Sequence, residues 1–142
     1  MGASEGHEPA RDLLEVYEDD RGVLSVAAFD SLPFLPERAY VLHGIPVGAA
    51  RGGHANRRQH RWLAVISGSI AVTEDDGRST RTFELGSAAS HHLPPGVWHE
   101  LRALSPDVVI LVLASGPHDP SDYVRERSAM PLALVRSAEQ TS

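Results

Sequence analysis

Short apolar segments recur along the chain, with Gly, Pro, Asp and Ser falling between them. That punctuation predicts strands. The segments are Gly22–Phe29, Arg38–His43, Arg61–Ser67, Ser69–Thr73, Thr80–Leu85, Ser87–Leu93, Val97–Leu104 and Val108–Ala114. Glu74-Asp75-Asp76-Gly77 is the predicted hairpin turn, because Gly accepts positive φ and Asp side chains bond nearby backbone. Val108 to Leu113 is apolar without alternation, which at that length predicts a strand buried on both faces. Only the tail after Asp122 has helical character, and Pro131 interrupts it. Many short strands joined by tight turns predict an all-β fold, an antiparallel jelly-roll barrel with a short helical C-terminal tail. Residues 1–10 are small, polar and acidic and are expected to form a mobile tail. Residues 11–142 then form a single domain.

Composition narrows the partners. The 142 residues suffice for one sizeable core. A net charge of −6 argues against nucleic acid or an anionic membrane as partner. Cysteine is absent, which excludes disulfides and thiolate chemistry. No secretory n-region and h-region opens the sequence, and no apolar run approaches a membrane span. A cytoplasmic location is expected. All 13 basic residues are arginine.

Two motifs carry chemistry. Arg51-Gly52-Gly53-His54-Ala55-Asn56 and Pro94-Pro95-Gly96-Val97-Trp98-His99 resemble the two halves of the cupin barrel signature. The second half is intact in Pro94, Gly96 and His99. The first keeps His54 but has Asn56 where a second histidine is usual, and its acidic position falls at His60 or Arg61. A first-row metal favours neutral imidazoles and a carboxylate. Two imidazoles, an amide and a guanidinium predict a cupin that works without metal.

Strand alternation sharpens the candidates. His54 and Asn56 are two apart and share a face. Trp98 points away from His99. Of His91 and His92, at most one enters a pocket. His60 reaches it only if Arg57–Gln59 form a bulge. The Tyr40 phenol suits a developing oxyanion. Arg21, Arg51, Arg57, Arg58 and Arg61 are candidate anion binders, since guanidinium binds phosphate in a bidentate manner. Asp119, Asp122 and Tyr123 read as structural, a turn and a cap for the C-terminal segment.

The chain also resembles the sugar-nucleotide 3,4-ketoisomerases, small cupins acting on thymidine-diphosphate 4-keto-6-deoxyglucose. The likeness runs from about Asp19 to Arg125. It rests on Asp20-Arg21-Gly22, Leu32-Pro33-Phe34, Arg38-Ala39-Tyr40, Arg51 to Asn56, Gly68-Ser69, Trp98-His99-Glu100, Leu113-Ala114-Ser115, and Asp119 with Asp122-Tyr123-Val124-Arg125. The family motif reads Arg-Gly-x-His-Ala-His, with both histidines linked to proton transfer. Asn56 departs from it, as do Arg61 (usually Gln) and His92 (often Tyr). The resemblance implies a homodimer that needs no metal or other cofactor and takes a dTDP-linked keto-deoxysugar.

Moving a ketone from C4 to C3 requires a base for the C3 proton and a donor for the enediolate oxygen. The implied catalytic set is His54 as general base, Tyr40 and Asn56 as oxyanion or relay groups, and His99 in support. Arg21, Arg51, Arg61 and His92 are the implied substrate-binding set. Two other readings stand beside this one. One is a cupin that binds a sugar nucleotide without turnover. The other is a metal cupin using His54, His60 and His99.

Overall fold

The structure, a computed structural model, describes residues 14–127. Among them are eleven strands and two short 3-10 turns, and no α-helix. The strands are β1 (Leu14–Asp19), β2 (Gly22–Ala27), β3 (Arg38–His43), β4 (Ala50–Asn56), β5 (Arg61–Ser67) and β6 (Ile70–Asp75). They continue as β7 (Thr80–Leu85), β8 (Ser90–Leu93), β9 (Trp98–Ala103), β10 (Val109–Ala114) and β11 (Tyr123–Val124). Two antiparallel sheets face each other, ordered β3-β10-β5-β8 and β11-β4-β9-β6-β7, and β1-β2 forms a separate hairpin. The expected all-β antiparallel class is the one observed.

Alternation along each strand builds the core between the sheets. Leu63 and Val65 of β5, Ile70 and Val72 of β6, Leu101 and Ala103 of β9, and Ile110 and Val112 of β10 point inward. Burying each large aliphatic side chain contributes about 1.5–3 kcal/mol. The odd positions of β10 face outward, yet Leu113 is buried and Leu111 partly so. They pack with Trp62, Ala64 and Leu14 under a cover that includes Leu32 and Phe34. Both faces of β10 are therefore covered, as its unbroken apolar run predicts.

Three details differ from expectation. The hairpin turn is Asp76 to Ser79, closed by Asp76 N–H to Ser79 O, while Glu74 and Asp75 belong to β6. β8 begins only at Ser90, because residues 87 and 88 turn and Ala88 adopts a φ of 74°. Residues after Asp122 open with strand β11 rather than a helix, because Tyr123 and Val124 pair with Asn56 and Ala55. The rest of the expected helical tail, from 128, and the expected mobile tail at 1–10 lie outside the described residues. Among the described residues no helix is long and apolar enough to cross a membrane.

One irregularity shapes the interior. The pairing of β4 with β9 shifts register between Gly52 and His54. Gly52 and Gly53 there have φ of 90° and 74°, the left-handed region that favours glycine.

Candidate active site

The sheets enclose a cavity of about 540 Å³ whose wall draws on both of them. Arg38 and Tyr40 reach it from β3, and Arg51 and His54 from β4. Arg61 enters from β5 and His99 from β9, while Tyr123 and Arg125 close the side at β11. Leu42, Leu63, Leu93, Leu101 and Val112 supply the apolar wall.

Four guanidiniums line this space, and among the described residues no carboxylate does. Such a cavity attracts anions. Arg61 is only 2% exposed. It donates from Nη1 to Gln59 Oε1 at 2.9 Å and from Nη2 to Tyr123 Oη at 3.2 Å. Its Nε is buried with no hydrogen-bond partner among the described residues, as are Nε and Nη2 of Arg38. Buried polar atoms are almost always paired. Those on the cavity wall therefore point to a polar ligand.

His54 and His99 face each other across β4 and β9, their rings edge to face with centroids 4.7 Å apart. Tyr123 stacks on the other side of His54 at 4.5 Å. Neither ring nitrogen of His54 has a hydrogen-bond partner among the described residues. Asn56 lies close enough to favour the His54 cation weakly, without hydrogen-bond geometry to its ring. Burial first, then the Arg61 and Arg125 guanidiniums, push the His54 pKa down to about 4. Burial and the neighbouring His54 take His99 to about 3. Both imidazoles are thus neutral near pH 7 and able to accept a proton.

The cavity gathers Tyr40, Arg51, His54, Arg61 and His99 from the expected sets. It does not gather the other three. Asn56 is buried, but its amide donates to Asp122 Oδ2 at 3.0 Å and does not line the cavity. His92 pairs with Trp62 across β5 and β8 and so faces the outside of the sheet. There its Nε2 lies 2.8 Å from His60 Nδ1, with the rings nearly parallel and Phe34 stacked on His60. Arg21 sits on the β1-β2 hairpin, its side chain 86% exposed and paired with Asp19 at 2.6 Å. It does not line the cavity of its own chain.

His60 therefore does not converge with His54 and His99, and the alternative metal set does not assemble. Among the described residues no three His, Cys, Asp or Glu side chains cluster as metal ligands. Arg58 is engaged by Asp119 at 3.1 Å. Asp119 accepts from Ser121 N–H and caps the short 3-10 turn, as expected for a structural acid. Trp98 packs outside with Ala55 and Val124, under the Arg127 guanidinium.

Sequence reasoning passed over Arg38, His118, Tyr123 and Arg125 as cavity residues. For Arg38 a signal existed: it precedes Tyr40 by two, and a strand puts both on one face. His118 and Arg125 carry no such signal, because they flank the closing turn rather than lie on a long strand.

Comparison with known proteins places the chain in a family. The family FdtA, described as WxcM-like, C-terminal, matches residues 10–132. The TDP-4-oxo-6-deoxy-alpha-D-glucose-3,4-oxoisomerase of Aneurinibacillus thermoaerophilus is 34% identical over 110 residues, covering 76% of this chain and 79% of that one. Among solved structures, the sugar 3,4-ketoisomerase QdtA of Thermoanaerobacterium thermosaccharolyticum, in complex with TDP, superposes with a TM-score of 0.76. It is 24% identical, with 90% of this chain and 92% of that chain covered. The TDP-quinovose 3,4-ketoisomerase WlaRB of Campylobacter jejuni gives a TM-score of 0.75 at 25% identity, covering 87% and 94%. The family expected from the motifs is the one found: the chain belongs to the FdtA family (WxcM-like, C-terminal).

Proposed function

We propose that this protein is a 3,4-ketoisomerase that moves the ketone of a dTDP-4-keto-6-deoxyhexose from C4 to C3 in deoxysugar biosynthesis, without a metal or other cofactor. The observation that carries this reading is the cavity wall. It combines four guanidiniums with two neutral imidazoles, and it leaves buried donors on Arg38 and Arg61 without partners among the described residues. Pyrophosphate is the dianion that matches such donors, through charge-assisted and bidentate bonds.

The chemistry follows from the same side chains. The C4 carbonyl acidifies the C3 proton. His54 removes it, the C3 electrons form a C3=C4 double bond, and negative charge moves to O4. Tyr40 donates to that oxygen as the charge builds. The carbon-bound proton returns at C4, the O3 hydroxyl loses its proton, and the ketone stands at C3. A base with a pKa near 4 is weak, but pyrophosphate offsets the Arg61 and Arg125 charges that help hold it there. Substrate binding therefore raises the basicity of His54 when it is needed.

The assembly we read is a homodimer. The hairpin exposes Val16, Tyr17, Val23 and Leu24, the last two at about 60%. A lone two-stranded sheet is marginal in water, and a second copy is the cover that the resemblance implies.

Incubation with dTDP-4-keto-6-deoxyglucose in deuterated water tests the function. A 3-keto product carrying deuterium at C4 supports it. Nucleotide-sugar binding with neither a 3-keto product nor deuterium entering C3 or C4 would replace the enzyme with a binding module.

A further inference from the structure

The sequence pattern assigns Glu74 to a turn, and the reaction above gives it no part. In the fold it is buried at 3% exposure and points into the barrel. It continues the inward series Ile70, Val72 of β6, whose partners on β9 are Ala103 and Leu101. The next pair in that ladder is Glu74 with His99. A lone carboxylate in such a place gives up its charge or finds partners. Glu74 has them: His91 Nε2 bonds Oε2 from the facing sheet, and Arg81 Nε donates to Oε1 at 3.3 Å.

The register joins these groups into a row. His54 pairs with His99, His99 with Glu74, and Glu74 with Arg81, across β4, β9, β6 and β7. Directly opposed residues hold their Cβ atoms about 4.5–5.5 Å apart. A carboxylate thus stands on one side of His99 and the reactive imidazole on the other.

We propose that Glu74 is a positioning residue that supports His99 as the second proton carrier of the isomerisation, its carboxylate stabilising the imidazolium that forms there. The proposal rests on the ketoisomerase reading. That reaction moves two protons, one from C3 to C4 and one from O3 to O4. His54 carries the first. His99 takes the O3 proton as the C3 carbonyl forms and returns a proton to O4, so no outside reagent is needed. Asn56 does not do this: it cannot titrate, and its amide is held by Asp122. Among the described residues, the charged or titrating side chains that act on His99 are His54 from β4, Arg61 from β5 and Glu74 from β6. Of the three, Glu74 alone favours the His99 cation.

Glu74→Gln keeps the shape and removes the charge. The expected result is a kcat lowered roughly tenfold to hundredfold with KM within about twofold, and an acid limb displaced to lower pH. Glu74→Asp, which keeps the charge, recovers part of the rate. A Glu74→Leu/His91→Leu double variant guards against misfolding, since a buried hydrogen-bonded polar pair exchanged for apolar side chains often folds as well or better. It is expected to bind dTDP with wild-type affinity by calorimetry and to turn over as slowly as Glu74→Gln. A wild-type rate and pH profile in Glu74→Gln, or full activity in the double variant, overturns the proposal while leaving the ketoisomerase standing. If the wild type turns over no nucleotide-linked keto sugar, the functional reading fails and this inference falls with it.

Discussion

Asn56 donates its amide to Asp122 Oδ2 at 3.0 Å, across 66 positions of sequence. Asp122 is fully buried. Its carboxylate also accepts the N–H groups of Arg58 and Gln59, and its carbonyl that of Arg57. The residue that replaces the second motif histidine thus belongs to a strut. It holds the 57–60 loop, and with it the start of β5, against the 3-10 turn that leads to Tyr123.

Asp122→Ala removes the acceptor for three donors at once and leaves a buried amide unpaired. The expected loss is roughly 3 kcal/mol of folding stability in urea titration. An unchanged midpoint and slope would mean that the loop is held by other contacts.

His54→Ala is expected to lower kcat by about 10²–10⁴, the usual contribution of a general base. Affinity for dTDP, measured by calorimetry, should stay within a few-fold because the guanidiniums remain. Retention of the wild-type rate would move the base role to His99.

Arg61→Met separates binding from folding. Burying a guanidinium whose Nε has no partner among the described residues is unfavourable, so the free variant should match or exceed the wild-type melting temperature. Affinity for dTDP should fall by about 1.5–3 kcal/mol, the worth of a charge-assisted bond. Lost stability together with unchanged affinity would assign Arg61 to the scaffold through Gln59 and Tyr123.

Stability should decline in mild acid. Burial holds His54 and His92 down to about 4 and His99 to about 3, against an ordinary imidazole value of 6.5. As pH falls the unfolded chain takes up protons first. The stability these groups contribute is therefore complete above about 6.5 and is lost as pH drops toward 4, at up to about 1.4 kcal/mol per unit for each histidine. His60, lowered by its own burial, acts in the same direction. Melting at pH 5 should come well below melting at pH 7.5, and His92→Phe should make the dependence shallower. Equal melting temperatures at the two pH values would contradict the buried neutral state.

Much of this was legible before folding. The unbroken apolar run of β10, the Pro-Gly approach to His99 and the opposite facing of Trp98 all follow from strand periodicity. His91 and His92 were correctly split between faces, but only pairing with β5 decides that His91 shares the inner side with Leu63. Glu74 was hidden by its neighbours: a run of Glu, Asp and Asp before Gly reads as turn, although its parity matches Ile70 and Val72. The engagement of Asn56 was hidden for another reason. Its partner is remote in sequence, and a side chain's face does not say which atom it will bond.

The glycine bulge in β4 acts as a change of phase. Arg51 and His54 are three residues apart, so a regular strand would send them to opposite faces. The register shift at Gly52-Gly53 returns both to the cavity. A Cβ at Gly52 would meet the His99 carbonyl oxygen at 3.2 Å, whereas one at Gly53 meets nothing within 4 Å. The two glycines therefore constrain the strand differently, one by crowding and backbone strain, the other by backbone strain alone. A deletion that restored the regular pleat would turn Arg51 to solvent while His54 kept its place against His99. Affinity for the anion and competence for proton transfer would then part company along a single strand, leaving a barrel with its imidazoles in place and a weaker hold on its substrate.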